Sequence, residues 1–253
     1  MTDSPPDKKH VLVTGCSGNI GTAVSAGLIA RGHTVRGFDL ALPPEPIAGM
    51  DDFHQGDLTD RAALDKAVAG VDTIVHLAAH PNEHAFLEVL LPNNVIGPYN
   101  VLEAAREAGV GRVVLTSSTQ VMMNHDWQDR TIGVDEVPRP VTSYAVTKYM
   151  SEGWGWVYAN RYKISTIVVR PGWVSPDEVA TEDREVDLAA AMLYTSRADC
   201  TRFFIGCVET PDIDFALLYV TGRSPKHQPF DLEPARKLIG YEPQDTWPGP
   251  IKP

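Results

Sequence analysis

Thr14-Gly15-Cys16-Ser17-Gly18-Asn19-Ile20-Gly21 is the stretch on which the reading of this chain turns. It follows His10-Val11-Leu12-Val13-Thr14, an apolar run of strand length, and opens a helical pattern from Ile20 to Arg31. Glycines at 15, 18 and 21 allow a tight turn, close approach of a pyrophosphate to the backbone, and close packing of helix on strand. The unpaired N–H groups and the dipole at the helix start complete an anion cradle. Such a string alone is a weak signal, because a glycine-rich strand-to-helix turn can hold nothing. Its context decides for a ligand: strand before, helix after, and Asp39 closing the next strand-like run, Thr34-Val35-Arg36-Gly37-Phe38.

Outward from the loop, short β-branched runs alternate with amphipathic stretches. A short strand leads to Gly56-Asp57, and a helix is expected over Arg61 to Val68. The run Asp72 to Leu77 reads as a strand, Asn94 to Ala108 as a helix and Arg112 to Thr116 as a strand. A helix from Ser143 to Arg161 then leads to the strand Ile164 to Val169. Strands separated by helices of this length pair in parallel with both sheet faces covered, which predicts a doubly wound α/β sheet of the Rossmann type. Regular alternation stops after Arg170-Pro171-Gly172. The division expected is therefore a nucleotide-binding domain over 8–172 and a small, partly interleaved C-terminal substrate lobe over 173–253. In the second part Ala216 to Val220 reads as a strand and Glu233 to Ile239 as a helix, while the pattern of Arg202 to Val208 fits either.

Asp39 is placed to accept both hydroxyls of an adenosine ribose, and Leu40-Ala41-Leu42-Pro43 brings no cation for a 2′-phosphate; this favours NAD over NADP. The formal net charge of −11 excludes a generally basic nucleic-acid or anionic-membrane surface. Three cysteines without clustering fit a reducing cytoplasm better than a disulfide framework. Met1 to Lys9 is polar and has no signal-peptide core, and no stretch reaches membrane-spanning length.

Tyr144-Ala145-Val146-Thr147-Lys148 puts a phenol and an ammonium one helical turn apart on one face. A nearby cation favours phenolate, so Lys148 is expected to lower the pKa of Tyr144 and make it a proton acceptor from a carbinol. Ser117-Ser118-Thr119 lies at the carboxyl end of an expected strand, where a hydroxyl can hydrogen-bond the reacting oxygen. Together with the phosphate loop, these residues point to hydride transfer.

In these elements the chain resembles the extended short-chain dehydrogenase/reductase family, from about His10 to Arg170 and more weakly to Tyr241. The resemblance also rests on Gly56-Asp57-Leu58, His76-Leu77-Ala78-Ala79 and Asn94-Val95-Ile96-Gly97. It implies Ser118, Tyr144 and Lys148 as catalytic residues, with Ser118 preferred to Ser117. It implies cofactor contacts from Gly15, Ser17, Gly18, Asn19, Ile20, Gly21, Asp39, Asp57, Leu58, Leu77, Ala78, Ala79, Asn94, Lys148 and Pro171. Within the family the short C-terminal part is most similar to uronate dehydrogenases, and that likeness implies a helix around Ala198 to Glu209. Those enzymes oxidise the C1 hydroxyl of a cyclic sugar acid.

Two positions depart from that pattern: Thr119 stands where an Asn is usual, and His80-Pro81-Asn82 where a Ser is usual. Between Gly172 and Leu188 the chain is acidic, with Asp177, Glu178, Glu182, Asp183, Glu185 and Asp187, and Arg184 is the cation there. His80, Asn82, Thr119, Asn124, His125 and Arg184 are the candidate substrate residues; His84 and Met122 also follow strand ends. No metal is expected, since His76, on a strand, does not share a face with His80 and His84. The leading expectation is an NAD-dependent dehydrogenase acting on a small, sugar-derived hydroxyl. The competitors are a nucleotide-sugar epimerase or dehydratase that retains NAD, and a non-catalytic NAD sensor. Trp154 and Trp156 point apart on their helix, and a homodimer through this helix and the Asn94 helix is expected by resemblance.

Overall fold

The computed structural model describes residues 7–50, 52–175 and 184–252. In chain order the elements begin with β1 (His10–Thr14), α1 (Asn19–Ala30), β2 (Thr34–Asp39), β3 (Asp52–Gln55), α2 (Arg61–Val68) and β4 (Thr73–His76). A π-type helix, Phe86–Ile96, runs into α3 (Gly97–Ala108), followed by β5 (Arg112–Thr116) and a 3-10 turn at Thr119–Met122. Then come α4 (Ser143–Tyr162), β6 (Ser165–Pro171), β7 (Trp173–Val174), α5 (Leu188–Leu193) and β8 (Tyr194–Thr195). The last elements are α6 (Arg197–Glu209), β9 (Phe215–Val220) and α7 (Glu233–Ile239).

Seven parallel strands form one sheet in the order β3-β2-β1-β4-β5-β6-β9. The order reverses between β1 and β4, and at such a reversal the flanking helices leave on opposite faces and open a crevice at the carboxyl ends. Alternation along each strand builds two cores. Val11 and Val13 point to one face with Val75, Val114 and Ile167, under α1 and α6; Leu12 points to the other with Ile74, Val113 and Leu115, under α2 and α3.

The differences from expectation have local causes. The helix expected to start at Asn94 starts at Phe86 and is wide-turned as far as Ile96, with Pro92 inside it. Proline has no N–H to donate and its ring crowds the carbonyl four residues back, so a regular α-helical turn is disfavoured there. The ambiguous stretch around Arg202 is helical, in α6, whose Ser196 side chain accepts from the Asp199 N–H at 2.8 Å. Beyond Gly172 the chain returns to the sheet: β9 pairs with β6, and α6 packs on α1. Outside the sheet, β7 pairs with β8, and Trp173, Tyr194 and Trp247 form a small separate cluster. Among the described residues no helix is long and apolar enough to cross a membrane.

Candidate functional site

At the reversal point lies a cleft of about 440 Å³. Of the residues named for the cofactor, Gly15, Ser17, Gly18, Asp39, Asp57, Leu58, Leu77, Ala78 and Ala79 line it, joined by Phe38, Leu40, Gly56, His80, Pro81 and Asn93. Asn19, Ile20 and Gly21 form the start of α1 beside it. Gly15 has φ +74°, and its N–H donates to the Phe38 carbonyl at 2.8 Å. A Cβ on Gly21 would lie 2.0 Å from the Gly15 carbonyl oxygen, so the turn closes only on glycine. Asp39 accepts from the Ser17 N–H at 2.9 Å and from the Leu40 N–H at 2.7 Å, which fastens the phosphate loop to the end of β2. The Ser17 hydroxyl donates to the Ala41 carbonyl at 2.6 Å. Among the described residues the lining holds no Lys or Arg to meet a 2′-phosphate. A bare backbone cradle at a helix start with an acidic residue at the next strand end fits NAD.

His76 ends β4 beneath the cleft, buried, with Nδ1 2.7 Å from the Thr14 hydroxyl oxygen. Burial, and secondarily the Lys148 charge, push its imidazole down to about 3, so it is neutral at physiological pH.

Ser118, Tyr144 and Lys148 are all buried and come together beyond the ends of β5 and β6. The 3-10 turn after β5 starts on Ser118, whose Oγ accepts from the Gln120 N–H at 3.1 Å. Thr142 caps α4 by accepting from the Ala145 N–H at 3.1 Å, so Tyr144 enters on a defined first turn. Lys148, one turn on, donates from Nζ to the Thr116 carbonyl at 3.0 Å, and Nζ lies 5.8 Å from the Tyr144 ring centroid. Burial pushes the Tyr144 phenol up to about 12 against a lowering hydrogen bond with Ser118. Burial also draws Lys148 down to about 8. This corrects the expectation that Lys148 lowers Tyr144: desolvation penalises phenolate and ammonium alike, and it dominates here.

The choice between the two serines has a geometric basis. The Ser117 hydroxyl is spent on Glu152 Oε1 at 2.7 Å and approaches the Lys148 carbonyl at 3.3 Å. Glu152 in turn holds the buried Arg170 through two contacts of 2.7 Å, and Arg170 donates to the Tyr219 hydroxyl at 2.9 Å. Sequence reasoning missed this network. Its one local signal is Glu152 standing one turn beyond Lys148 on the same helix.

The candidate substrate residues have different surroundings, and two of them touch, His80 Nδ1 lying 3.0 Å from the Asn82 carbonyl oxygen. Thr119 is buried and donates to the Pro171 carbonyl at 3.1 Å, which also places Pro171 behind the serine turn. His125 is buried with Nε2 2.8 Å from the Val137 carbonyl oxygen, and its ring faces Arg130 and Glu136. Asn82 and Asn124 are exposed, and Met122 is core. His80 lines the cleft, and its backbone N–H and C=O are both held by the buried Asn94 side chain, at 2.8 and 3.0 Å. Asn94 also donates to the Thr147 hydroxyl at 3.3 Å, so it ties the cleft wall to α4. Glu83, which no local pattern marks, accepts from the Tyr144 N–H at 2.7 Å.

Arg184 is exposed and lies over the Trp173 ring at 5.2 Å, and Trp173 stacks on Trp247 at 5.3 Å. The acidic positions Asp177, Glu178, Glu182 and Asp183 lie outside the described residues. Asp187 caps α5, accepting from the Ala190 N–H at 2.7 Å. Among the described residues no three His, Cys, Asp or Glu side chains are placed to hold a metal ion.

Comparison with known proteins agrees with this geometry. L-arabinose 1-dehydrogenase (NAD(P)(+)) of Haloferax volcanii is 31% identical over 94% of this chain and 97% of its own length. Uronate dehydrogenase of Pseudomonas putida is 30% identical over 97% of this chain and 87% of its own. A mutant uronate dehydrogenase from Agrobacterium tumefaciens, solved in complex with NAD, superposes with a TM-score of 0.80 over 94% of this chain and 85% of that one, at 27% identity. The NAD dependent epimerase/dehydratase family matches residues 11–195, and the chain belongs to that family.

Proposed function

We propose that the chain is an NAD-dependent dehydrogenase oxidising a hydroxyl of a small sugar or sugar acid. The observation that carries this reading is the gathering of the buried Ser118, Tyr144 and Lys148, with Lys148 Nζ 5.8 Å from the Tyr144 ring centroid, near a cleft shaped for a dinucleotide. NAD bound in that cleft supplies the hydride acceptor. Ser118 orients the substrate oxygen, and Tyr144, acting in its ionised phenolate form, takes its proton. Phenolate at Tyr144 and ammonium at Lys148 are each costly when buried, and forming them side by side offsets part of both costs.

Relatives that match over nearly their whole length bear the names of sugar dehydrogenases, which weighs against an epimerase that returns the hydride. The part of residues 173–253 outside the sheet supplies the substrate side: Trp173 and Trp247 seat Arg184, a cation suited to a sugar carboxylate. Two copies associate through α3 and α4, where Tyr99, Val146, Met150 and Trp156 leave apolar surface exposed. A monomer by light scattering at every concentration would refute the dimer. Three buried cysteines suit a reducing cytoplasm.

The test is reduced-nicotinamide absorbance with NAD and a panel of uronates, neutral aldoses and polyols. Turnover of at least one panel member is expected, and Tyr144→Phe should lower kcat by roughly 10²–10⁴ with NADH binding intact. Silence across the panel, or an active Tyr144→Phe, overturns the reading. A response to uronates that Arg184→Ala removes, with neutral sugars unaffected, supports the carboxylate assignment.

A further inference from the structure

Both backbone polar groups of Tyr144 are held by side chains, and both chains of contact lead to the same loop. Its N–H donates to Glu83 at 2.7 Å, across 61 positions of sequence. Its carbonyl accepts from the Thr147 hydroxyl at 2.7 Å; Thr147 accepts from Asn94, and Asn94 grips the backbone of His80 on both sides. His80 and Pro81 are walls of the cofactor cleft. The circuit therefore runs from the cleft wall through Asn94 and Thr147 to Tyr144, and back through Glu83 to the same loop.

Glu83 is an exposed residue, and an exposed glutamate gains little by folding against a distant helix unless the helix offers it something. Here the first turn of α4 offers a free N–H and the positive end of its dipole. Thr142 already satisfies Ala145, so Glu83 supplies the acceptor that Thr142 does not provide for Tyr144. An ordinary helix cap would affect stability alone. This one is fixed to the residue whose phenol must meet the substrate oxygen, and displacements near 1 Å at such a residue can cost on the order of a hundredfold in rate.

The geometry points to Glu83 as a positioning residue that latches the 80–85 loop onto the catalytic helix and holds the Tyr144 phenol in register with the cleft. This rests on the assignment of Tyr144 as the proton acceptor. What the latch needs is an acceptor oxygen at that distance, so an amide can replace the carboxylate.

The experiment compares Glu83→Ala and Glu83→Gln with the wild type by kinetics on whichever panel sugar the wild type oxidises, and by amide hydrogen exchange. Glu83→Ala is expected to lower kcat about tenfold or more. The KM for NAD should move less than about threefold, because Asn94 still fixes His80. Exchange should quicken in peptides covering 80–85 and 143–147 and nowhere else. Glu83→Gln should restore both readouts. The proposal fails if Glu83→Ala keeps wild-type kcat, if its exchange pattern is unchanged, or if Glu83→Gln is as impaired as Glu83→Ala. Should the wild type oxidise no panel sugar, the dehydrogenase reading fails, and the exchange comparison still decides whether Glu83 holds the loop to α4.

Discussion

The cofactor cleft and the proposed substrate side of this molecule are built from different materials. The cofactor cleft is largely backbone: a glycine turn, a helix start, and the ends of β1, β2 and β4, with side chains such as Asp39 fastening the frame. The substrate side is made of loops and of side chains, several of whose polar atoms are already committed inside the fold, Thr119 to Pro171 and His125 to Val137. Backbone geometry is dictated by local sequence and by packing, and it tolerates few residue types. A side chain on a loop takes its direction from contacts tens of residues away, and its identity alone does not reveal whether it faces a ligand.

The sharpest way to break that contrast is to put a side chain where the backbone side allows none. Gly21→Ala places a Cβ against the Gly15 carbonyl, a contact of 2.0 Å with backbone that cannot rotate aside. Overpacking of this kind costs about 1–3 kcal/mol, so NADH affinity by fluorescence titration should fall roughly ten- to a hundredfold, or stability should fall by a comparable amount. Unchanged affinity together with unchanged stability would show that the cradle is not set by close packing.

How much was legible follows the same line. The strand-turn-helix at Gly15–Gly21, the parallel sheet and the family were readable because each depends on short-range pattern: period two for strands, period 3.6 for helices, glycine where a carbonyl comes close. The Tyr144 and Lys148 pair was readable as a spacing, but its electrostatics were not. Burial is a property of the folded whole, and it reverses the direction expected for the phenol. Glu83 and the Ser117–Glu152–Arg170 network were invisible for a related reason, since each contact joins elements that only the sheet order brings together.

Burial of Lys148 makes a second, smaller prediction. Its ammonium is drawn from 10.5 down to about 8 by desolvation. Between those values the unfolded chain holds the proton and the folded chain does not, so this residue makes stability rise with pH over that window. Below pH 8 both states are protonated, and the folded state bears the full cost of the buried charge. Lys148→Met removes the effect. Its stability advantage over the wild type, measured by denaturant unfolding at pH 7.5 and 10.5, should shrink with rising pH by on the order of 2 kcal/mol. A pH-independent difference would mean that solvent or a counter-charge relieves the lysine.

The smallest effect tests the substrate side directly. The sequence marks Asn124 as a pocket candidate, yet it is exposed, and its backbone N–H donates to the Arg139 carbonyl at 3.3 Å. Asn124→Ala should therefore leave kcat/KM within about twofold of the wild type, as for surface positions away from any special feature. A tenfold rise in KM for the sugar with KM for NAD unchanged would reverse this. It would mean that the loop after the serine turn closes over the substrate, and that the polar residues following β5 act on the ligand after all. The contrast between a side written in backbone and a side written in side chains would then hold only for the open site.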